Sequence, residues 1–310
     1  MKRRQFIAGL GSVVAWPMTA RAQQGERIRR IGVLMAFEEN DPQGKSYLLA
    51  FMQGLGELGW ADARNVRVEI RWDADNLDRL RMFAKELVEL QPDVLYTSST
   101  PATSALHRET RTIPIVFASV SDPIGAGFVT SLPHPGGNIT GFINLEGTLG
   151  GKWLELLTAI APGIKRATIL FNPDTAPSDA SDYLRSFEAA ARSLKMEPIA
   201  ARVHGDAEIE IAITSLGREP GGGLVVMSDV FTRVHRTQII SAAARNKVPA
   251  AYWQSVFVTD GGLLSYGPDY ADIFRRAATY VHRVLRGEKP ADLPVQFPVK
   301  FETTLGDPQK

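Results

Sequence analysis

Cysteine is absent from all 310 residues, which excludes disulfides, thiolate metal sites, a thiol nucleophile and the acylated residue of a bacterial lipoprotein. An excess of either charge is also missing. With 35 basic residues against 34 acidic ones, no basic field is available to attract nucleic acid or anionic lipid. No apolar run approaches the roughly 20 residues that a membrane-spanning helix needs. The five histidines, at 107, 134, 204, 235 and 282, have no metal-ligand spacing, and no P-loop, GxSxG elbow or HExxH pair occurs. The carboxylates form no sequence constellation that marks paired acid/base chemistry. No cofactor or metal is called for, and a non-enzymatic role is expected.

What the chain does have begins at its first residues. Arg3-Arg4-Gln5-Phe6-Ile7 precedes a short Gly/Ala-rich apolar stretch to Met18, the pattern of a twin-arginine export signal. Thr19-Ala20-Arg21-Ala22 supplies the small-x-small signature of a signal peptidase site, with cleavage expected after Ala22. Arg21 inside that site favours the twin-arginine route over the general secretory one, and either route takes the protein out of the cytoplasm. Cleavage removes Lys2, Arg3, Arg4 and Arg21, so 35 less 4 leaves 31 basic residues against 34 acidic and a net charge of −3. A periplasmic protein without a stable membrane anchor is the expectation. The remaining length suggests two domains.

From residue 29 onward, short β-branched runs alternate with stretches of helical period, which predicts parallel sheets covered by helices. Strands are expected at 31–35, 66–70, 94–97 and 113–118, with helices at 44–58, 77–90 and 101–110. Tyr47, Phe51, Leu55 and Leu58 mark the apolar face of the first helix, and core packing accounts for such stripes. The same order restarts with strands at 167–171, 198–203 and 223–227 and helices at 178–194, 206–216 and 232–246. The Gly/Pro-rich segment 131–141 reads as the exit from the first lobe. A strand at 263–266 and an amphipathic helix at 268–286 follow, and the helix is assigned back to the first lobe. The expected architecture is α/β, with two doubly wound parallel-sheet lobes joined by a multi-strand hinge. The first lobe takes 23–140 and 260–290, the second 141–259 and 291–310.

Ligands of doubly wound sheets bind beyond the carboxyl ends of strands, where the winding reverses. This rule selects the loops at 36–41 and 98–103 in the first lobe and at 172–174 and 228–229 in the second. The hydroxyls of Ser98, Ser99, Thr100 and Thr103 gather at a helix start with Pro101 near its first position. That arrangement suits an anion, although Ser99 or Thr100 acting only as the helix cap is an equal alternative. Asp229 could accept from a ligand ammonium group or simply cap its helix. Asn172 belongs to Asn172-Pro173-Asp174, which is turn chemistry first. Gly54-Leu55-Gly56-Glu57-Leu58-Gly59 satisfies the dinucleotide string GxGxxG, but it ends a helical stripe instead of opening one after a strand, so Gly59 reads as a helix C-terminal residue.

Several ordered segments resemble one family. Gly54-Leu55, Glu57-Leu58-Gly59 and Arg64-Asn65-Val66 come first, followed by Ile113 to Phe117 and Ser121-Asp122-Pro123. Pro135 to Gly141, Phe171-Asn172-Pro173, Gly261 to Asp269 and Gly287 to Pro294 continue the series. Together they are similar to ABC-transporter periplasmic substrate-binding proteins, including tryptophan- and tyrosine-binding members. The resemblance implies a type I periplasmic binding fold that closes on a small-molecule ligand, amino-acid-like by preference, and delivers it to an ABC permease and its ATPase. It completes the candidate ligand set as Phe37, Ser98, Ser99, Thr100, Thr103, Ser121, Asp122, Asn144, Asn172, Asp229, Phe231 and Tyr266. Relatives continue after Lys300-Phe301-Glu302 with an apolar strand and a short helix, whereas this chain runs to Lys310, so an incomplete last crossover and a looser hinge are expected. An exported enzyme using the same cleft, or a ligand-sensing subunit of a membrane receptor, are the alternatives.

Overall fold

The computed structural model describes residues 27–72, 76–144, 146–176 and 180–306; the export signal read at 1–22 lies outside the described residues. Two sheets divide the chain. In the first, strands β1 (Arg29–Met35), β2 (Val66–Trp72), β3 (Val94–Ser98), β4 (Ile115–Val120) and β5 (Ile139–Ile143) stand in the order β2-β1-β3-β4-β5, all parallel. Helices α1 (Pro42–Glu57), α2 (Leu77–Glu89) and α3 (Thr100–Glu109) connect them. Alternation along the strands sorts the core. Ile31, Val33 and Met35 of β1 face α1 with Phe51 and Leu55, while Leu34 faces α2 and α3 with Leu80, Leu87 and Leu106.

The second sheet contains β6 (Arg166–Phe171), β7 (Glu197–Arg202), β8 (Gly222–Val226), β9 (Ala250–Tyr252), β10 (Leu264–Pro268) and β11 (Phe301–Leu305), in the order β11-β10-β9-β8-β6-β7. Only β11 runs antiparallel to its neighbour. Its helices are α4 (Leu149–Ile160), α5 (Ser181–Ser193), α6 (Asp206–Gly217), α7 (Val230–Val234), α8 (Arg236–Arg245) and α9 (Ser255–Thr259). The one long helix expected at 232–246 is therefore two, divided at His235. Thr232 causes part of this, because its hydroxyl turns back to the Met227 carbonyl at 2.8 Å and ties α7 to the end of β8.

Helix α10 (Tyr270–Leu285) leaves the second sheet and packs on the first lobe, where Ile273, Phe274, Ala277 and Val281 join the core beneath β3 and β4. The strand before it does not follow. Although 260–290 was assigned whole to the first lobe, β10 bonds to β9 and β11 in the second sheet. Segment 291–299, expected in the second lobe, instead runs beside β5: Thr140 donates to the Leu293 carbonyl at 2.6 Å and the Gln296 amide donates to the Gly141 carbonyl at 2.9 Å. The chain thus crosses between lobes three times, at 144–148, 268–270 and 297–301. β11 pairs with β10 along its whole length, so the last crossover is formed where an incomplete one was expected.

β5 begins inside the segment expected to form the exit, 131–141, and runs on to Ile143. Glycine explains the misreading: a side chain at Gly141 would collide with the Phe117 carbonyl of β4, so a residue that ordinarily weakens a strand is the only one that fits here. Gly54 has a similar constraint on α1, where an added Cβ would lie 2.6 Å from the Arg275 carbonyl of α10. Gly59, with φ +86° just beyond the helix, is the C-terminal residue that its position predicted. The glycine string thus divides by role. Gly54→Ala should force α1 and α10 apart and destabilise the protein by roughly 1–3 kcal/mol, whereas Gly56→Ala, with open space around its Cβ, should be neutral or stabilising by up to about 1 kcal/mol. Urea unfolding of the two variants checks this ordering.

Candidate functional site

Both sheets reverse their winding at the strand pairs β1/β3 and β6/β8, and the loops beyond these carboxyl ends meet around one cavity of about 530 Å³. From the first lobe come Phe37 after β1, Ser98 to Thr100 after β3, and Ser119 and Ser121 at the end of β4. The second lobe contributes Asp174 and Thr175 after β6, Ser228, Asp229 and Arg233 after β8, and Trp253 and Gln254 after β9. Asn144 and Tyr270 enter from two of the crossovers.

The hydroxyl turn before α3 is held under strain. Ser99 has φ 72° and ψ 157°, a region that side chains rarely occupy and that persists where surroundings enforce it. Thr103 is part of the enforcement: its hydroxyl donates to the Ser99 carbonyl at 2.6 Å. Ser99 Oγ in turn accepts from the Ala102 amide, so Ser99 is the helix cap, and the Ser98 hydroxyl accepts from the Ala36 amide at 3.2 Å. Ser119, also lining the cavity, has φ 60°. Two left-handed serines on one wall are hard to account for by packing alone.

Aromatic rings make the opposite character. Tyr47 of α1 stacks on Phe274 at 4.7 Å and on Tyr270 at 5.9 Å, and meets Phe37 edge-on at 5.8 Å. Trp253 stands edge-on to Tyr270 at 6.1 Å. Contacts also join the lobes across the cavity: the Arg233 guanidinium lies 4.8 Å over the Phe37 ring, and the Gln254 amide donates to the Tyr47 hydroxyl at 3.0 Å. A polar chain runs beside them, from Ser121 to Asn144 at 3.1 Å and from Asn144 to the Tyr270 hydroxyl at 3.5 Å.

Asp229 caps α7, accepting from the Thr232 amide at 2.6 Å and, across the loop, from the Asn172 amide at 3.2 Å. Burial nevertheless pushes its carboxyl up to about 6, against the lowering effect of those donors. A buried carboxylate in a ligand-sized cavity is chemically suited to a cationic group.

Of the twelve residues singled out from sequence, seven line this cavity: Phe37, Ser98, Ser99, Thr100, Ser121, Asn144 and Asp229. The other five stand outside its lining. Thr103 is fully buried and serves Ser99 from behind. Asp122 caps its own turn by accepting from the Gly125 amide at 2.7 Å. Asn172 closes its turn onto the Asp174 amide at 2.8 Å and braces Asp229 through its backbone. The Phe231 ring lies against His235 at 4.1 Å, and Tyr266 stacks on Phe301 in the second sheet at 5.7 Å. Tyr47, Arg233, Trp253, Gln254 and Tyr270 were not foreseen. The apolar stripe of α1 accounts for Tyr47 as core alone, and the strand-end rule reaches Trp253 and Gln254 only once the three-residue β9 is visible.

The Asp229 shift has a definite sign. Between the ordinary aspartate value near 4 and about 6, the unfolded chain releases this proton while the folded chain keeps it, so stability should fall as pH rises through that window. The loss is on the order of 3 kcal/mol, and Asp229→Asn should abolish it. Urea unfolding of the ligand-free protein at intervals from pH 4 to 7 checks this; the same pH slope in the variant would assign the effect to another group.

The chain is similar in sequence and in fold to known proteins. A tyrosine-binding protein from Clostridioides difficile (strain R20291) is 27% identical over 255 residues, covering 79% of this chain and 70% of that one. A conserved domain protein from Vibrio cholerae superposes with a TM-score of 0.79 at 26% identity, covering 90% of this chain and 92% of its own. The ABC domain in complex with L-Trp from Streptococcus pneumonia gives a TM-score of 0.77 at 26% identity, with coverages of 89% and 91%. The fold is that of the type I periplasmic binding proteins. The sequence model described as ABC transporter substrate binding protein matches residues 35–305, and the chain belongs to that family.

Proposed function

We propose that this protein is the exported solute-binding component of an ABC importer, closing its lobes on an aromatic amino acid and presenting it to a permease and its ATPase. The observation that carries this reading is the composition of the cavity. Loops from both lobes line it, with hydroxyls at Ser98 to Thr100, a carboxylate at Asp229, and an aromatic wall of Phe37, Tyr47, Trp253 and Tyr270. An α-carboxylate would sit at the start of α3, where the hydroxyls and the helix dipole favour negative charge. The α-ammonium would approach Asp229, and the ring would lie against the aromatic wall, close to Arg233. Ser121 and Asn144 line the cavity near the crossovers and would contact a solute from the hinge side. Two relatives, one named for tyrosine and one holding L-Trp, support the ligand class.

Binding in this reading is differential affinity for the closed conformation and involves no chemistry. The twin-arginine segment would deliver the protein to the periplasm, with residues 1–22 removed on arrival. A thermal-shift screen of L-tryptophan, L-tyrosine, other amino acids, sugars and small carboxylates tests the assignment. An aromatic amino acid at 100 times its dissociation constant should add about 2.7 kcal/mol of stability; a response only to sugars or carboxylates would refute the ligand class. Affinity for that amino acid should also weaken as pH falls below about 6, because a protonated Asp229 no longer attracts ammonium. Titration calorimetry from pH 5 to 8 measures this, and an affinity that stays constant over that range would remove Asp229 from the ammonium site.

A further inference from the structure

Ser119 belongs to β4, which has a strand on either side of it, β3 and β5. The pairing with β5 skips a residue: Ala118 lies opposite Phe142 and Val120 opposite Ile143, which leaves Ser119 as the extra residue of a bulge. Its backbone is left-handed, at φ 60°, a conformation that glycine and asparagine adopt more readily than serine. A bulge that only had to bend the strand would be better served by glycine. The cost of keeping serine there directs attention to its side chain.

Between the fully buried Ala118 and Val120, Ser119 is half-buried and lines the cavity. Its hydroxyl stays within reach of water and has no hydrogen-bond partner among the described residues. Three neighbouring serines are engaged: Ser98 accepts from the Ala36 amide, Ser99 from the Ala102 amide, and Ser121 donates to Asn144. Ser119 thus offers the cavity a donor that no described protein group competes for. Strand pairing fixes where this donor stands, because Ser98 lies opposite Ala118 and the Ser99 amide donates to the Ala118 carbonyl at 3.2 Å. Ser119 follows directly beside the turn at Ser98 to Thr100, whereas the Asp229 carboxylate belongs to the opposite lobe. A hydroxyl so placed gains most from an anionic acceptor, since hydrogen bonds to ionised groups are roughly twice as strong as neutral ones.

We propose that Ser119 is a ligand-binding residue whose hydroxyl donates to the α-carboxylate of the bound amino acid, an inference that rests on the amino-acid reading of the cavity. The bulge sets the direction of the side chain before a solute arrives, so little further ordering is lost on binding. With Asp229 attracting the ammonium from the second lobe, the backbone end of the solute is held from both sides and its ring is directed to the aromatic wall. Amines that keep the ring and the ammonium but lack the carboxylate make no use of Ser119.

Calorimetric titration with two matched pairs tests this: L-tryptophan against tryptamine and L-tyrosine against tyramine, each amine measured by displacement of its amino acid. Ser119→Gly and Ser119→Ala should each weaken the amino acid that the wild-type protein binds by about 10- to 100-fold, while the matching amine changes by no more than about twofold. Ser119→Gly should also leave the melting temperature of the ligand-free protein unchanged or raised, because glycine adopts φ 60° without strain, so its loss of affinity is not a loss of fold. Amino-acid affinity that is unchanged in both variants, or an equal loss for the amine, would overturn the proposal while leaving the amino-acid reading intact. Failure of the wild-type protein to bind either amino acid would instead remove that reading, and the Ser119 inference with it.

Discussion

The return of α10 to the first lobe is the constraint on which the rest of this structure depends. β10 is a strand of the second sheet, yet the helix that follows it by two residues is core to the first, with Phe274 beneath Tyr47 and Tyr96. That return requires Gly54, since any side chain there would hold α1 away from the Arg275 backbone. It also forces two further crossings, one before α4 and one into β11. With three strands of chain shared between them, the lobes can rotate about the crossovers but cannot separate. The sheet ends that need ligands are thereby kept facing each other.

The cavity inherits its chemistry from this arrangement. Strand ends in parallel sheets expose backbone groups and helix starts, which gives the first lobe its hydroxyl turn and the second its capped carboxylate. The aromatic wall draws in part on a different source, since Tyr47 and Tyr270 belong to the faces of α1 and α10, while Phe37 and Trp253 follow strand ends. Tyr47 illustrates the transition: its ring stacks on Phe274 within the lobe, while its hydroxyl reaches Gln254 of the other lobe. Arg233 over Phe37 makes a second link of the same kind. Contacts of this sort are available only when the lobes approach, so a solute that adds to them shifts the population toward closure.

Periodicity and strand-end logic account for most of what the amino-acid sequence reveals. The alternation of β-branched runs with helical stripes identified both windings, and the context of Gly54, Gly56 and Gly59 excluded a nucleotide site. Local pattern failed where tertiary contact overrides propensity. β5 was hidden by Gly141, whose absent side chain is demanded by Phe117; β9 was hidden by its three-residue length; and β10 was separated from its sheet because the helix after it, α10, packs on α1. The site was affected in the same way. Residues directly after well-marked strands, such as Ser98, Ser99 and Asp229, were found, whereas Arg233, Trp253, Gln254 and Tyr270 depend on strands or crossovers that no single window displays. Phe231 and Tyr266 were chosen for being aromatic and adjacent, and their rings turn instead toward His235 and Phe301.

Closure of two lobes on a shared solute is the central claim, and the absence of native cysteine makes it directly measurable. Spin labels at Glu39→Cys and Val234→Cys would stand on exposed positions of opposite rims, two residues beyond Phe37 and one beyond Arg233. Pulsed electron resonance of the labelled protein should give a broader or longer distance distribution without solute, collapsing to a single short distance when L-tryptophan saturates the cleft. A distribution unchanged at saturating L-tryptophan, with binding verified in the same sample, would contradict closure as the basis of recognition.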